Sequence, residues 1–168
     1  MFKSSKVKNV FKKSQKFENA IKAPIAGEVF PLSKVNDPVF STEMMGKGIA
    51  ILPTKGMVFS PVNGKVVSVF ETKHAITLIS DGGAEILIHV GLDTVNLKGQ
   101  YFHSLISSGE KVKTGDLLLE FDMDSIEKQG YDLISPVIIC NSSSFKEVVG
   151  LTDKVVQELE TVIELITE

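Results

Sequence analysis

Short apolar runs separated by turn residues dominate the chain from about residue 20 onward. Seven segments have the side-chain pattern of strands about five to seven residues long: APIAGEVFPL, GKGIAILP, GMVFSPVNGKVVSVF, HAITLIS, GAEILIHV, GDLLLEFD and YDLISPVIICN. Turn residues that tolerate positive φ lie at Asn63-Gly64, Asp81-Gly82-Gly83 and Thr114-Gly115-Asp116. This pattern predicts an all-β sandwich or barrel. Brief helical turns fit only residues 101–107 and 125–130.

Part of the strand pattern occurs twice. Residues 23–29 (APIAGEV) and 60–66 (SPVNGKV) share the sequence Pro-x-x-Gly-x-Val. Residues 109–121 (GEKVKTGDLLLEF) resemble the hairpin that precedes a strand in the sandwich folds of lipoyl and biotinyl domains. We therefore expect a duplicated hairpin-type motif whose two copies pack face to face.

Charge divides the chain of 168 residues into two parts. Residues 1–17 contain six lysines and no acid, whereas the other 12 lysines are outnumbered by all 21 acidic residues. We expect residues 1–18 to form a mobile basic arm, with weak contact to an anionic membrane surface as the alternative, and residues 19–168 to form a single domain. The sequence contains no arginine, and its acidic body argues against nucleic-acid binding.

A single cysteine excludes an internal disulfide framework and is typical of a reducing compartment. This residue, Cys140, follows an apolar run, and we expect it to be a small buried side chain. The apolar runs are too short to cross a bilayer.

Three histidines are candidates for chemistry near neutral pH. Considered singly, His89 resembles a structural histidine of a strand, His74 a surface residue at a strand edge, and His103 an isolated residue on a short helix. Considered together, His74 and His89 change the interpretation. An antiparallel hairpin about the turn at 81–83 pairs Ala75 with His89, which places His74 beside His89.

Two adjacent imidazoles support either a metal site or nucleophilic attack on phosphorus. Thr72 lies two residues before His74 on the same side of the strand, so its hydroxyl can fix the imidazole tautomer. The Gly91 carbonyl can hold one ring N–H of His89 and leave the other nitrogen with a free lone pair.

The residues around this pair resemble a known family. The matching segments are FETKHA (70–75), residues 86–102 with their His-x-Gly-x-Asp-Thr-Val-x-Leu-x-Gly motif, SGEKVKTGDLLLEFD (108–122), SPVIICN (135–141), and, in the same order, residues 23–32 and 37–53. Together they identify the chain, over roughly residues 20–145, as similar to the glucose-type enzyme IIA of the bacterial sugar phosphotransferase system.

The resemblance implies an antiparallel β-sandwich and a phosphocarrier that needs no cofactor. Such a protein accepts a phosphoryl group from the phosphohistidine of HPr and passes it to the cysteine of the IIB domain of a sugar permease. It acts in the cytoplasm at the inner face of the membrane. By this resemblance His89 is the acceptor through Nε2, His74 stabilises the phosphoryl oxygens, and Thr72 orients His74.

The family also implies an apolar docking rim around the histidines. The matching residues are Val39, Phe40, Met44, Met45, Phe70, Leu87 and Val95. Asp37 and Asp93 are expected to add negative charge that attracts a basic partner, although Asp93 alternatively caps the turn after Gly91.

Three other functions are compatible with these residues. His74 and His89 can bind zinc when a partner supplies a carboxylate, as some family members do in a regulatory complex. Lys73 in ETKHA resembles the modified lysine of lipoyl carriers. The unphosphorylated protein can also serve as a regulator that binds permeases or glycerol kinase through the same rim.

Overall fold

A computed structural model describes residues 19–167 of the protein, so the prediction for residues 1–18 lies outside the described residues. The strands are β1 (Ala20–Lys22), β2 (Gly27–Pro31), β3 (Lys47–Pro53), β4 (Met57–Phe59), β5 (Gly64–Val69), β6 (Ala75–Ser80), β7 (Glu85–His89), β8 (Phe102–Ser104), β9 (Lys111–Val112), β10 (Leu117–Phe121), β11 (Ser135–Ile139), β12 (Glu147–Gly150), β13 (Lys154–Val156) and β14 (Thr161–Ile166). The helices are α1 (Pro38–Ser41) and α2 (Met123–Lys128), with 3-10 turns at Leu32–Lys34, Thr94–Leu97 and Ser142–Ser144. Neither α1 nor α2 is long and apolar enough to cross a membrane.

Every strand pairing between residues 19 and 167 is antiparallel, which confirms the all-β prediction. Eight strands form one sheet in the order β13-β2-β3-β11-β7-β6-β5-β9. Two sheets of three strands, β1-β14-β12 and β4-β10-β8, supply the other layer. Side chains from all three sheets share one apolar core, including Ile163, Leu119 and Ile88.

The centre of the large sheet is buried on both faces. One face contributes Ile86 and Ile88 to the main core, and the opposite face contributes Leu87 to a second apolar cluster. The consecutive aliphatic residues of β7 are therefore all buried, as expected for a strand covered on both sides. Because side chains alternate along a strand, His89 follows Leu87 on the face of the second cluster.

The predicted duplication is visible as reciprocal hydrogen bonds between the two Pro-x-x-Gly-x-Val segments. Lys22 N–H donates to the Pro61 carbonyl, and Phe59 N–H donates to the Pro24 carbonyl. Lys22 and Phe59 each stand two residues before the proline of their own segment. The two motifs thus pack against each other through an approximate two-fold relationship.

Two local predictions were wrong. Residues 102–104 form β8, which pairs with β10, and not a helical turn, so His103 lies exposed on a strand. Pairing with β10 overrides the weak local preference of this segment for a helical turn. Cys140 is exposed, because β11 ends at Ile139 and the chain leaves the sheet there. The second predicted helical turn corresponds to α2, displaced by about half a turn.

Candidate functional site

The hairpin of β6 and β7 brings two imidazoles together. Its register pairs Ile79 with Glu85 and Ala75 with His89, as the turn at 81–83 predicts. His74 directly precedes β6, and its carbonyl accepts a hydrogen bond from Val90 N–H. The ring centroids of His74 and His89 are 4.8 Å apart, and the rings are nearly perpendicular at 84°.

The tautomer of His89 is set by the chain that follows it. Nδ1 of His89 lies 2.7 Å from the Gly91 carbonyl oxygen. A carbonyl only accepts, so Nδ1 carries the proton and Nε2 of the neutral ring has a free lone pair. His89 is only partly buried, which leaves one edge of the ring open to a reactant. Gly91 has φ of 75°, a conformation that favours glycine.

His74 is oriented by Thr72, whose Oγ1 lies 2.8 Å from Nδ1. A tight turn places both residues, because Lys73 N–H donates to the Phe70 carbonyl and Phe70 N–H donates to the Ala75 carbonyl. Phe70 also packs edge-on against His74, with ring centroids 5.6 Å apart. His74 is 3% exposed, so the interpretation of this residue as a surface histidine was wrong.

Burial keeps both imidazoles neutral. Desolvation, followed by the proximity of His89, lowers the pKa of His74 to about 4. Desolvation also lowers the pKa of His89, and this effect is opposed by the hydrogen bond to Gly91 and by the charges of Asp37 and Asp93. At pH 7 the pair therefore presents a lone pair and not two cations, as attack on an electrophile requires.

The seven apolar residues predicted to surround the histidines form two groups by burial. Phe40 and Leu87 are buried and support the site from below, with the Phe40 ring 5.0 Å from that of His89. The prediction that these two belong to an exposed rim was wrong, because both pack in the second apolar cluster. The exposed members are Val39, Met44, Met45, Phe70 and Val95.

The two carboxylates near His89 differ in local backbone structure and in hydrogen bonding. Asp37 is the N-cap of α1, and its Oδ1 accepts from Val39 N–H at 3.0 Å. Asp93 precedes the 3-10 turn Thr94–Leu97 with φ of 59°, and its side chain makes no capping hydrogen bond. The alternative prediction, that the Asp93 side chain caps the turn after Gly91, is therefore wrong. The side chain is exposed.

Sequence reasoning missed the residues that hold the loop after His89. Gly91 N–H donates to Ser135 Oγ at 3.1 Å, and Leu92 N–H donates to the Asp132 carbonyl at 2.9 Å. The Thr94 hydroxyl donates to the Val90 carbonyl. Thr94 could have been identified from its place in the His-x-Gly-x-Asp-Thr motif, but Ser135 lies 44 residues away and carries no local signal.

The structure does not support the zinc alternative. Among residues 19–167 no group of three or more His, Cys, Asp and Glu side chains is arranged to hold a metal ion. Lys73, the candidate for lipoyl modification, adopts φ of 58° in the turn that positions His74.

Comparisons with known proteins agree with this geometry. A beta-glucoside-specific EIIBCA component from Bacillus subtilis (strain 168) is 55% identical over 125 residues, which are 74% of this chain and 20% of that protein. The corresponding protein of Dickeya chrysanthemi is 54% identical over 75% of this chain and 20% of its own length. This chain therefore spans about a fifth of the length of these two relatives.

Two further relatives are matched by this chain over most of their own length. A glucose-specific EIIA component of Oceanobacillus iheyensis is 48% identical over 84% of this chain and 87% of that protein. The solved structure of glucose permease IIA from Mycoplasma capricolum superposes with a TM-score of 0.78 at 35% identity, over 86% of this chain and 93% of that one. Residues 19–145 match the model of the family described as phosphoenolpyruvate-dependent sugar phosphotransferase system, EIIA 1. The fold is thus the antiparallel β-sandwich of that structure, and the chain belongs to this EIIA family.

Proposed function

We propose that this protein is a phosphocarrier of the sugar phosphotransferase system, which acts in the cytoplasm at the inner face of the membrane. It accepts a phosphoryl group from the phosphohistidine of HPr on His89 Nε2 and passes it to the cysteine of a IIB domain. The observation that carries this proposal is the hydrogen bond from His89 Nδ1 to the Gly91 carbonyl, which leaves Nε2 unprotonated beside a second imidazole.

In the accepting step, the Nε2 lone pair of neutral His89 attacks phosphorus. The P–N bond of phospho-HPr breaks, and its electron pair returns to the imidazole of HPr. The His89 ring gains positive charge when the new P–Nε2 bond forms, and the Gly91 carbonyl, still accepting from Nδ1–H, stabilises that charge. In the donating step, the IIB cysteine thiolate attacks phosphorus and the pair of the P–Nε2 bond returns to His89.

His74 is proposed to act on the phosphoryl oxygens. If the Thr72 hydroxyl donates to His74 Nδ1, the neutral ring carries its proton on Nε2 and can donate it in a hydrogen bond to a phosphoryl oxygen. A neutral donor suits a carrier, because a cation would hold the dianionic phosphoryl group more tightly and slow its release. Positioning and hydrogen bonding are the main requirements of phosphoryl transfer.

The partners are proposed from chemistry and from relatives. The relatives named EIIBCA join a segment like this chain to further components in one polypeptide, which supports a IIB domain as the acceptor. Asp37 and Asp93 make the entrance to His89 acidic, which favours a donor protein with a basic docking face.

The proposal is tested by phosphoryl transfer from radiolabelled phospho-HPr to wild type, His89→Gln and His74→Gln. We expect acid-labile label on wild type and none on His89→Gln, because glutamine offers no nucleophilic lone pair. His74→Gln should accept label but donate it to a IIB domain about 100-fold more slowly, within the range of a lost catalytic hydrogen-bond donor. Unchanged donation would remove His74 from the mechanism.

His103→Gln is the matched control. It replaces an exposed histidine on β8, away from the hairpin of His74 and His89, and should be labelled like wild type. Label that persists on His89→Gln but disappears from His103→Gln would contradict the proposed acceptor.

A further inference from the structure

Gly91 is held on both sides by hydrogen bonds from the rest of the fold. Its N–H donates to Ser135 Oγ, and the N–H of the next peptide, that of Leu92, donates to the Asp132 carbonyl. The preceding carbonyl, that of Val90, accepts from the Thr94 hydroxyl. We call the Ser135 hydroxyl, the Thr94 hydroxyl and the Asp132 carbonyl the Gly91 clamp.

The two hydroxyls of the clamp are buried and have defined partners. Thr94 and Ser135 are both 0% exposed. Ser135 Oγ accepts from Gly91 N–H and donates its own proton to the Leu133 carbonyl at 2.8 Å, so the hydroxyl cannot rotate freely. The Gly91 carbonyl also accepts from His89 Nδ1. Every N–H and C=O of the two peptide groups that flank Gly91 therefore has a hydrogen-bond partner.

This pairing matters because glycine lacks the steric barriers that fix other residues. Rotation about φ of Gly91 is restrained by the bond from its N–H to Ser135, and rotation about ψ by the bond from Leu92 N–H to Asp132. If the peptide after Gly91 turned over, an N–H would face His89 where the carbonyl now lies. Nδ1 would then have to accept, and the proton would move to Nε2, the proposed nucleophile.

We propose that Ser135 and Thr94 are positioning residues that hold the Gly91 carbonyl against His89 and thereby keep the ring in the Nδ1–H tautomer. The role in catalysis rests on the proposed function, but the tautomer is a property of the unphosphorylated protein alone. Ser135 and Thr94 do not touch the phosphoryl group; they act through Gly91.

Both hydroxyls can be removed with little change of shape. Ser135→Ala leaves Gly91 N–H without its partner, and Thr94→Val leaves the Val90 carbonyl without its partner. Thr94→Ser keeps the hydroxyl and serves as the conservative rescue. Ser60→Ala is the matched control, because Ser60 is also 0% exposed and donates to a carbonyl two residues away, that of Val62.

The experiment is ¹⁵N NMR of the His89 imidazole in unphosphorylated protein above pH 7, where two-bond ¹H–¹⁵N correlations distinguish the tautomers. Wild type, Thr94→Ser and Ser60→Ala should show Nδ1–H. Ser135→Ala and Thr94→Val should shift the tautomer ratio toward Nε2–H by roughly 2- to 10-fold, the range expected for one lost hydrogen bond. Labelling from phospho-HPr should slow only in proportion to the fraction of the Nδ1–H tautomer that is lost.

The outcomes separate the two proposals. An unchanged His89 tautomer in folded Ser135→Ala and Thr94→Val would overturn the inference, even if wild type is labelled normally. An equal tautomer shift in Ser60→Ala would overturn it too, because the effect would then reflect general loosening. Absence of label on wild type would reject the proposed function, whereas a shift confined to the clamp variants would still support the positioning role.

Discussion

His74 and His89 have the same side chain but different surroundings, and the difference supports the different roles proposed for them. His74 is buried behind the Phe70 ring and tied to Thr72, whereas His89 keeps one edge accessible. The sequence predicted their proximity because the turn at 81–83 fixes the register of the hairpin. It could not predict the burial of His74, which depends on residues packed from outside the hairpin.

The low pKa of His74 predicts a loss of stability on acidification. Unfolded histidine binds a proton near pH 6.5, whereas folded His74 does so only near pH 4, so the unfolded state binds more protons between these values. The stabilisation from neutral His74 is therefore present above about pH 6.5. We expect it to decline by about 1–3 kcal/mol as the pH falls to 4.

The measurement is urea unfolding of wild type and His74→Gln at pH 7, 5.5 and 4.5. Glutamine does not titrate, so the free energy of unfolding of the variant should fall less steeply with decreasing pH. Parallel pH dependence in the two proteins would contradict the low pKa of His74.

The negative charge of Asp37 and its role as the N-cap of α1 can be tested separately. Asn caps a helix about as well as Asp, so Asp37→Asn should change the free energy of unfolding by less than about 0.5 kcal/mol. Loss of the negative charge should lower the pKa of His89 further, because that charge now raises it. NMR titration of His89 checks the pKa.

Asp37→Ala is the comparison for the capping bond to Val39 N–H and should cost about 1 kcal/mol of stability. Labelling of Asp37→Asn by phospho-HPr should also depend less on salt than that of wild type. An unchanged His89 pKa in Asp37→Asn would exclude the electrostatic role.

At the scale of elements, the duplicated motif explains which parts of the fold were predictable. The first strands of the two copies were recognised from Pro-x-x-Gly-x-Val. A later strand-turn-strand segment is duplicated too, as β9 and β10 in one copy and β13 and β14 in the other. Gly115 N–H in the first segment donates to the Ser60 carbonyl, and Leu159 N–H in the second donates to the Ala23 carbonyl. This second pair was missed because Leu159, with φ of 73°, stands where Gly115 marks the turn in the other copy.

The glycines that begin β2 and β5 should be equally intolerant of a side chain. A Cβ on Gly27 would lie 2.1 Å from the Leu52 carbonyl oxygen, and one on Gly64 2.1 Å from that of Ile79. Either clash is with backbone of the paired strand, so it cannot be relieved by a rotamer change. We expect Gly27→Ala and Gly64→Ala each to lower the free energy of unfolding by about 3 kcal/mol or more, the upper range for overpacking.

Gly109→Ala is the control for these variants. Gly109 has φ of 91°, and a Cβ at this position would meet no atom within 4 Å, so alanine adds backbone strain alone, about 1–2 kcal/mol. Urea unfolding measures all three. A loss no larger for Gly64→Ala than for Gly109→Ala would show that β5 can shift away from β6.

At the scale of the whole molecule, the proposed acceptor His89 is partly exposed, and five of the apolar residues predicted to surround it are not covered by other parts of the described chain. Val39, Met44, Met45, Phe70 and Val95 remain exposed, whereas Phe40 and Leu87 beneath them are buried. All seven were predicted together because they are apolar and stand at positions that match the family's docking rim. Only packing separates the residues that support the site from those available to a partner.

This separation predicts that docking can be weakened without unfolding the protein. Val39 is 41% exposed on α1, so Val39→Asp should leave the free energy of unfolding within about 0.5 kcal/mol of wild type. A charge inside a docking surface must be desolvated when a partner binds. We therefore expect kcat/KM for labelling by phospho-HPr to fall at least about tenfold, with kcat at saturation nearly unchanged.

Val155→Asp is the matched control, because Val155 is 68% exposed on β13, four strands away from β7 in the large sheet. It introduces the same charge at another exposed valine. Any general effect of added negative charge on the binding of a basic donor should therefore appear in both variants. If the two variants lose kcat/KM equally, the exposed residues near His89 are not the docking surface. A loss confined to Val39→Asp, at constant kcat, would mean that Val39 contributes to binding of the donor and not to the chemical step.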